Sequence, residues 1–83
     1  MRHARTEALD QLEEVLAALR TLASIRERTR GVFYLRGQAF THFHEDPSGL
    51  YADLRRNAEF DRFPVNTIQE RSNYLAAVRQ ILG

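Results

Sequence analysis

The period of the hydrophobic pattern changes at Gly31, and this change constrains the fold more than any other feature of the chain. Before Gly31, leucines recur at alternating spacings of three and four residues, which is the period of an α-helix. After Gly31, aromatic and β-branched residues follow the period of two that is typical of β-strands. We therefore expect an α+β fold in which helices pack on an antiparallel sheet.

The first helix is predicted to begin at Thr6, a residue type that favours the N-cap position. Its apolar stripe is broad, as in a helix that packs on a sheet, rather than narrow, as in a coiled coil. The pattern is compatible with two positions for the C-terminal end of this helix. The helix stops near Ala23, or it continues to Arg30 with Gly31 as its C-terminal stop. The residues of the stripe are Ala8, Leu9, Leu12, Val15, Leu16, Leu19, Leu22 and Ala23.

Three strands and a shorter fourth are predicted to follow, with turn residues between them. Gly37-Gln38 suits a two-residue hairpin turn. The segment from Asp46 to Gly49 places proline and glycine where a type I turn with a bulge favours them. Pro64 lacks a backbone donor and therefore puts the fourth strand at an edge of the sheet. The predicted strands cover residues 32–36, 39–44, 50–55 and 60–65.

The last helix is predicted to begin at Thr67, which forms a capping box with Glu70. Its apolar face consists of Ile68, Leu75, Val78 and Leu82. The predicted architecture is α-β-β-β-(β)-α, one domain over residues 1–83. Since each helix is apolar on one side only, we expect both to cover the same face of the sheet.

Composition excludes several classes of function. The chain of 83 residues has no cysteine, so disulfides and thiolate metal sites are ruled out. No apolar stretch approaches the roughly 20 residues of a membrane-spanning helix, and no signal peptide is recognisable, so a cytoplasmic location is expected. We expect no enzyme, because no nucleophile motif or glycine-rich phosphate loop is present.

Nucleic acid is not an expected partner. The net charge of +1 gives no general attraction to phosphates. Two groups of arginines are present, but neighbouring acidic residues dilute their charge. These groups are Arg26, Arg28, Arg30 and Arg36, and Arg55, Arg56 and Arg62.

The predicted register leaves one sheet face without a helix. The face assigned to the helices carries Val32, Tyr34, Ala39, Thr41, Phe43, Leu50, Ala52 and Leu54. The opposite face mixes aromatic with ionisable residues, which is the composition of an interface core. We therefore expect a homodimer formed through this face. Its residues are Phe33, Phe40, His42, His44, Tyr51, Asp53 and Arg55, with Leu35 among them.

Some of the same residues favour an alternative, a small-molecule site or a divalent metal site. His42 and His44 lie on the same side of one predicted strand, and Asp53 faces them from the next. Two histidines and one carboxylate form a common metal-binding set. A simpler interpretation remains open, in which His42 only forms a hydrogen bond with Asp53.

Overall fold

The computed structural model describes residues 1–83 and confirms the predicted α+β fold. Six strands form one antiparallel sheet in the order β2-β3-β4-β5-β6, and a short β1 pairs with β4 beyond the end of β3. In chain order the elements are β1 (Arg2–His3), α1 (Thr6–Gln11), α2 (Glu13–Arg20), β2 (Arg26–Thr29), β3 (Val32–Leu35), β4 (Gln38–Asp46), β5 (Gly49–Arg56), β6 (Glu59–Pro64) and α3 (Ile68–Leu82).

The N-terminal helical region is shorter than predicted and is divided into two helices. Leu12 leaves the helical conformation, so that α1 ends there and α2 begins at Glu13. The helix stops at Arg20, three residues before the nearer predicted end at Ala23, and it does not continue to Arg30. Residues 26–29 form β2 instead, where they pair with β3. This strand contains no apolar residue, which is why the hydrophobic pattern did not indicate it.

The first hairpin turns one residue earlier than predicted. Leu35 pairs with Gln38, so Arg36 and Gly37 are the two central residues of the turn. Both have positive φ angles, 54° and 78°. A type I′ turn requires positive φ at both central residues, and glycine adopts that conformation without steric cost.

A β-bulge follows the turn and reverses the predicted placement of two aromatic residues. Phe33 pairs with Thr41 and Tyr34 with Ala39, which leaves Phe40 as an extra residue on β4. The earlier turn and the bulge together direct Phe33 and Phe40 into the core, where they are 1% and 2% exposed. Their predicted position on the uncovered face is therefore wrong, and Leu35 also packs against the core.

The register of β4 on β5 agrees with the prediction. His42 pairs with Asp53, Phe43 with Ala52, and His44 with Tyr51. Side chains of paired residues lie on the same face of a sheet, so the histidines and Asp53 share one face while Phe43 and Ala52 share the other.

The core lies between the helices and one face of the sheet. Within the core, the Tyr74 hydroxyl forms a hydrogen bond of 2.7 Å with Thr41 Oγ1. Thr41 in turn donates to the backbone oxygen of Asp53 at 2.8 Å, so both buried hydroxyls are satisfied. The buried cluster consists of Leu9, Leu12, Val15, Leu16, Leu19, Ile25, Phe33, Phe40, Phe43, Ala52, Leu54, Val65, Tyr74 and Val78.

The start of α3 is the one predicted. Thr67 Oγ1 accepts a hydrogen bond from the Glu70 backbone nitrogen at 3.0 Å. The Glu70 carboxylate accepts one from the Thr67 backbone nitrogen at 3.1 Å, which completes the capping box. None of the helices has both the length and the apolar character needed to cross a membrane.

Candidate metal centre

The face of the sheet that the helices leave uncovered carries most of the ionisable groups of the sheet, and we call it the open face. Its side chains follow from alternation along β4, β5 and β6 and from the pairing of β1 with β4. They include His3, His42, His44, Tyr51, Asp53, Arg55, Phe60 and Arg62.

Strand β1 places a third histidine next to the two that were predicted. His3 pairs with His44, and the Ala4 backbone nitrogen donates to the Phe43 oxygen at 3.0 Å. On the other side of β1, Arg2 donates to the Glu45 carboxylate at 3.1 Å and fixes the strand along β4. His3 is therefore held beside the pair on β4 although β1 has only two residues.

The three imidazoles form a tight group, which we call the histidine cluster. Each of His3, His42 and His44 offers one ring nitrogen, and these three atoms all lie within 4.8 Å of one another. The ring centroids are 4.9 Å apart for His3 and His44, and 5.0 Å apart for His42 and His44. His3 is exposed, whereas the other two are half-buried.

Several ring nitrogens in the cluster lack a hydrogen-bond partner. Nδ1 of His42 and both nitrogens of His44 are buried without one. Nε2 of His44 lies 3.1 Å from Asp53 Oδ2, but outside hydrogen-bonding geometry. Buried polar atoms are rarely left unpaired, and each exception needs an explanation such as an ion or water. A bound cation would provide one nitrogen of each ring with a partner.

Asp53 is held mainly by Arg62. Arg62 donates from Nε to Asp53 Oδ1 at 2.7 Å and from Nη2 to Oδ2 at 2.9 Å. Burial is the largest influence on Asp53 and opposes its ionisation, but the hydrogen bonds and charge of Arg62 outweigh it. The pKa of Asp53 is consequently held below its ordinary value. The structure thus pairs the predicted third ligand with an arginine and adds His3 to the two predicted histidines.

His42 is held in the form that binds metals. Burial lowers its pKa below the ordinary value, and the neighbouring His44 lowers it further. Metal ions bind the neutral imidazole, so a lowered pKa reduces the competition from protons.

The remaining predicted residues of the open face are engaged within the chain. Tyr51 forms a hydrogen bond of 2.8 Å with the Ser48 hydroxyl. Arg55 donates to the Ala39 oxygen at 2.6 Å, and its guanidinium lies 4.4 Å from the centre of the Phe60 ring. Phe60, which sequence analysis did not select, is 38% exposed and packs against His42 at a centroid distance of 5.0 Å.

His3 is the main residue of the candidate site that sequence analysis missed. A strand of two residues is too short to show a period, so no hydrophobic pattern indicated that His3 lies in the sheet. Its only signal was its residue type, because the chain contains just three histidines and all three lie in the cluster.

No protein-family model, curated protein or solved structure matches the chain. Function is therefore inferred from the chemistry of the open face, because a fold alone does not determine a function. The fold and the cluster define a small α+β domain with three histidines gathered on one sheet face.

Proposed function

We propose that this protein binds one divalent transition-metal ion, for which we select Zn²⁺, through His3, His42 and His44. The observation that supports the proposal is the approach of three ring nitrogens to within 4.8 Å of one another. Two of the three rings also bury nitrogens that have no partner in the protein. We assign no reaction to the site.

The spacing of the nitrogens is compatible with a metal centre after a small adjustment. Zn–N bonds of about 2.0–2.1 Å in tetrahedral geometry bring ligand atoms to roughly 3.4 Å from one another. The separations between the ring nitrogens must therefore decrease by up to about 1.4 Å. His3 is exposed and lies on a strand of two residues, so its side chain has freedom to move toward the pair on β4.

The chemistry of the ligands selects the ion. Imidazole nitrogen favours zinc, copper, nickel and iron, whereas magnesium and calcium favour oxygen ligands. The chain has no cysteine that could compete as a soft ligand. We therefore expect binding of Zn²⁺ and Co²⁺, and none of Mg²⁺ or Ca²⁺ at comparable concentrations.

Isothermal titration calorimetry with ZnCl₂ tests the proposal, on protein purified without a histidine tag. The wild type should bind one equivalent, and His3→Ala and the double variant His42→Ala/His44→Ala should each lose most of the affinity. Asp61→Ala is the control, because Asp61 also lies on the sheet but pairs with Arg56 on the surface at 2.8 Å. Absence of saturable binding by the wild type, or equal binding by all the variants, would refute a site in the histidine cluster.

Thermal unfolding provides a second readout. An ion that binds only the folded state at one hundred times its Kd stabilises it by about 2.7 kcal/mol. For a domain of this size the melting temperature should rise by roughly 10–20 °C. The rise should disappear in His42→Ala/His44→Ala and be reversed by a chelator.

Homodimer formation through the open face stays a prediction, as does a cytoplasmic location. With Phe33 and Phe40 in the core, the aromatic side chains left on that face are Tyr51 and Phe60, together with Tyr34, which alternates with the buried Phe33 on β3. Light scattering with and without chelator tests association directly. A mass of 9.6 kDa at all concentrations would exclude the dimer, and twice that mass would support it.

A further inference from the structure

A metal ion in the histidine cluster would need a fourth ligand. Tetrahedral zinc has four, and the cluster provides three ring nitrogens. What completes the coordination decides whether the ion is closed off by the protein or is accessible to small molecules. The following inference rests on the proposed metal binding.

Asp53 is the carboxylate in contact with the cluster, but its oxygens are already occupied. Both accept hydrogen bonds from Arg62, at 2.7 and 2.9 Å. Movement of the Asp53 carboxylate onto an ion would break this bidentate pair. Asp53 is 7% exposed, and its closest cluster atom is Nε2 of His44 at 3.1 Å. A small rotation of the His44 ring would bring Nε2–H into hydrogen-bonding geometry with Asp53 and leave Nδ1 for the ion, which is the arrangement of an outer carboxylate that is common around zinc.

Other polar groups near the cluster are also engaged. Glu45 follows His44 directly, but its side chain binds Arg2 and the Arg5 backbone nitrogen. The Tyr51 hydroxyl is bonded to Ser48 at 2.8 Å. The protein around the cluster therefore offers no free side chain as a fourth ligand.

The cluster is open to solvent on the side of His3. The helices pack on the opposite face of the sheet, as the composition of the core cluster shows. His3 is exposed and forms the outer side of the cluster. An external ligand would therefore reach the ion without displacing any helix or strand.

The charge around the cluster favours an anion. Three neutral imidazoles leave the two positive charges of the ion uncompensated, and the negative charge of Asp53 is paired with Arg62. A bound divalent cation is the dominant charge at such a site and attracts anionic ligands.

We infer that the metal site keeps one open coordination position, which takes water or a small monodentate anion from solution. The relevant class of ligand includes carboxylates and other small anions with one donor atom. Asp53 acts as a positioning residue and does not coordinate the ion.

Replacement of zinc by Co²⁺ makes the coordination visible, because the colour of this ion reports the number and type of its ligands. One equivalent of Co²⁺ should give a visible absorption band in the wild type. Sodium azide, and separately sodium acetate, should then shift the band in a saturable way while the bound Co²⁺ remains at one equivalent. Tyr51→Phe is the control variant and should show the same shifts.

The outcomes separate this inference from the proposed function. A Co²⁺ band that neither anion moves, or loss of Co²⁺ from the protein on addition of azide, would overturn the open position while metal binding stands. If Asp53→Asn then changes the band of the anion-free protein and makes it respond to azide, Asp53 is the fourth ligand. Absence of any band on addition of Co²⁺ would overturn both proposals.

Discussion

The two faces of the sheet differ in whether their buried polar atoms have hydrogen-bond partners. On the covered face, side chains are apolar, and the two buried hydroxyls of Thr41 and Tyr74 satisfy each other and a backbone oxygen. On the open face, ring nitrogens of His42 and His44, which lie on the same strand as Thr41, are buried without partners. A buried polar atom without a partner costs about 1–3 kcal/mol.

This difference indicates which face of the sheet stabilises the fold and which face is the candidate for binding. The covered face can account for folding, because its apolar side chains and those of the helices and loops form a single cluster of fourteen buried residues. The open face contributes unpaired nitrogens and an exposed aromatic ring, which do not favour folding. Residues of this kind are expected where a protein binds something.

The largest effect should come from the covered face. Phe33→Ala removes a ring that is 1% exposed and should cost about 3–5 kcal/mol in the free energy of unfolding, measured by urea denaturation. Tyr34→Ala, on the half-buried neighbour whose ring contacts Arg28, is the control and should cost clearly less. A Phe33→Ala variant that is as stable as the wild type and differs only in its oligomeric state would mean that Phe33 lies on the open face. That result would contradict the structure.

The next effect concerns the open face and its outer carboxylate. Asp53→Asn should weaken Zn²⁺ binding by about 10–100-fold, because it removes the group that orients His44. Asp61→Asn is the matched control, since Asp61 pairs with Arg56 on the surface at 2.8 Å. Calorimetry that gives the same Zn²⁺ affinity for both variants would show that Asp53 has no role at the cluster.

A smaller effect distinguishes the hydroxyls of the two faces. Tyr74→Phe removes the buried bond to Thr41 and should lower stability by about 1 kcal/mol. Thr41 keeps its bond to the Asp53 oxygen in this variant, which limits the loss. Tyr51→Phe removes an exposed bond to Ser48 and should change the unfolding free energy by less than about 0.5 kcal/mol. Equal losses would mean that the two faces do not differ in burial.

The smallest effect is the pH dependence of the metal-free protein. Burial, reinforced by His44, lowers the pKa of His42 in the folded state. Below about pH 6.5 the unfolded chain therefore binds protons that folded His42 resists, and stability should decrease as the pH falls. Above that pH His42 is neutral in both the folded and the unfolded state, so its contribution to the pH dependence of stability levels off. Urea denaturation of His42→Gln between pH 8 and pH 5 should show a smaller decrease in the free energy of unfolding than the wild type shows. A decrease equal to that of the wild type would mean that groups other than His42 cause it.

Much of the fold could be predicted from the sequence because its strongest signals are local. The capping box of Thr67 and Glu70, the turn at Asp46 to Gly49, and the alternation along β4 and β5 each depend on neighbouring residues. The β4–β5 register followed from them, and it correctly put His42, His44 and Asp53 on one face.

The remainder depended on contacts that local patterns do not contain. The bulge at Phe40 interrupts the alternation, and nothing in the residue types around it marks the extra residue. Strand β2 is polar and is held by its pairing with β3. His3 joins the cluster because two residues at the start of the chain pair with β4, more than 40 residues away, a contact that no local pattern could show.

The most direct test of the central claim is an NMR titration that follows the imidazole signals while Zn²⁺ is added. The protein has only three histidines, so every ring signal belongs to the proposed cluster. A three-histidine site predicts that the signals of His3, His42 and His44 change together and saturate at one equivalent. Signals that stay unchanged, or a change confined to the exposed His3, would contradict it.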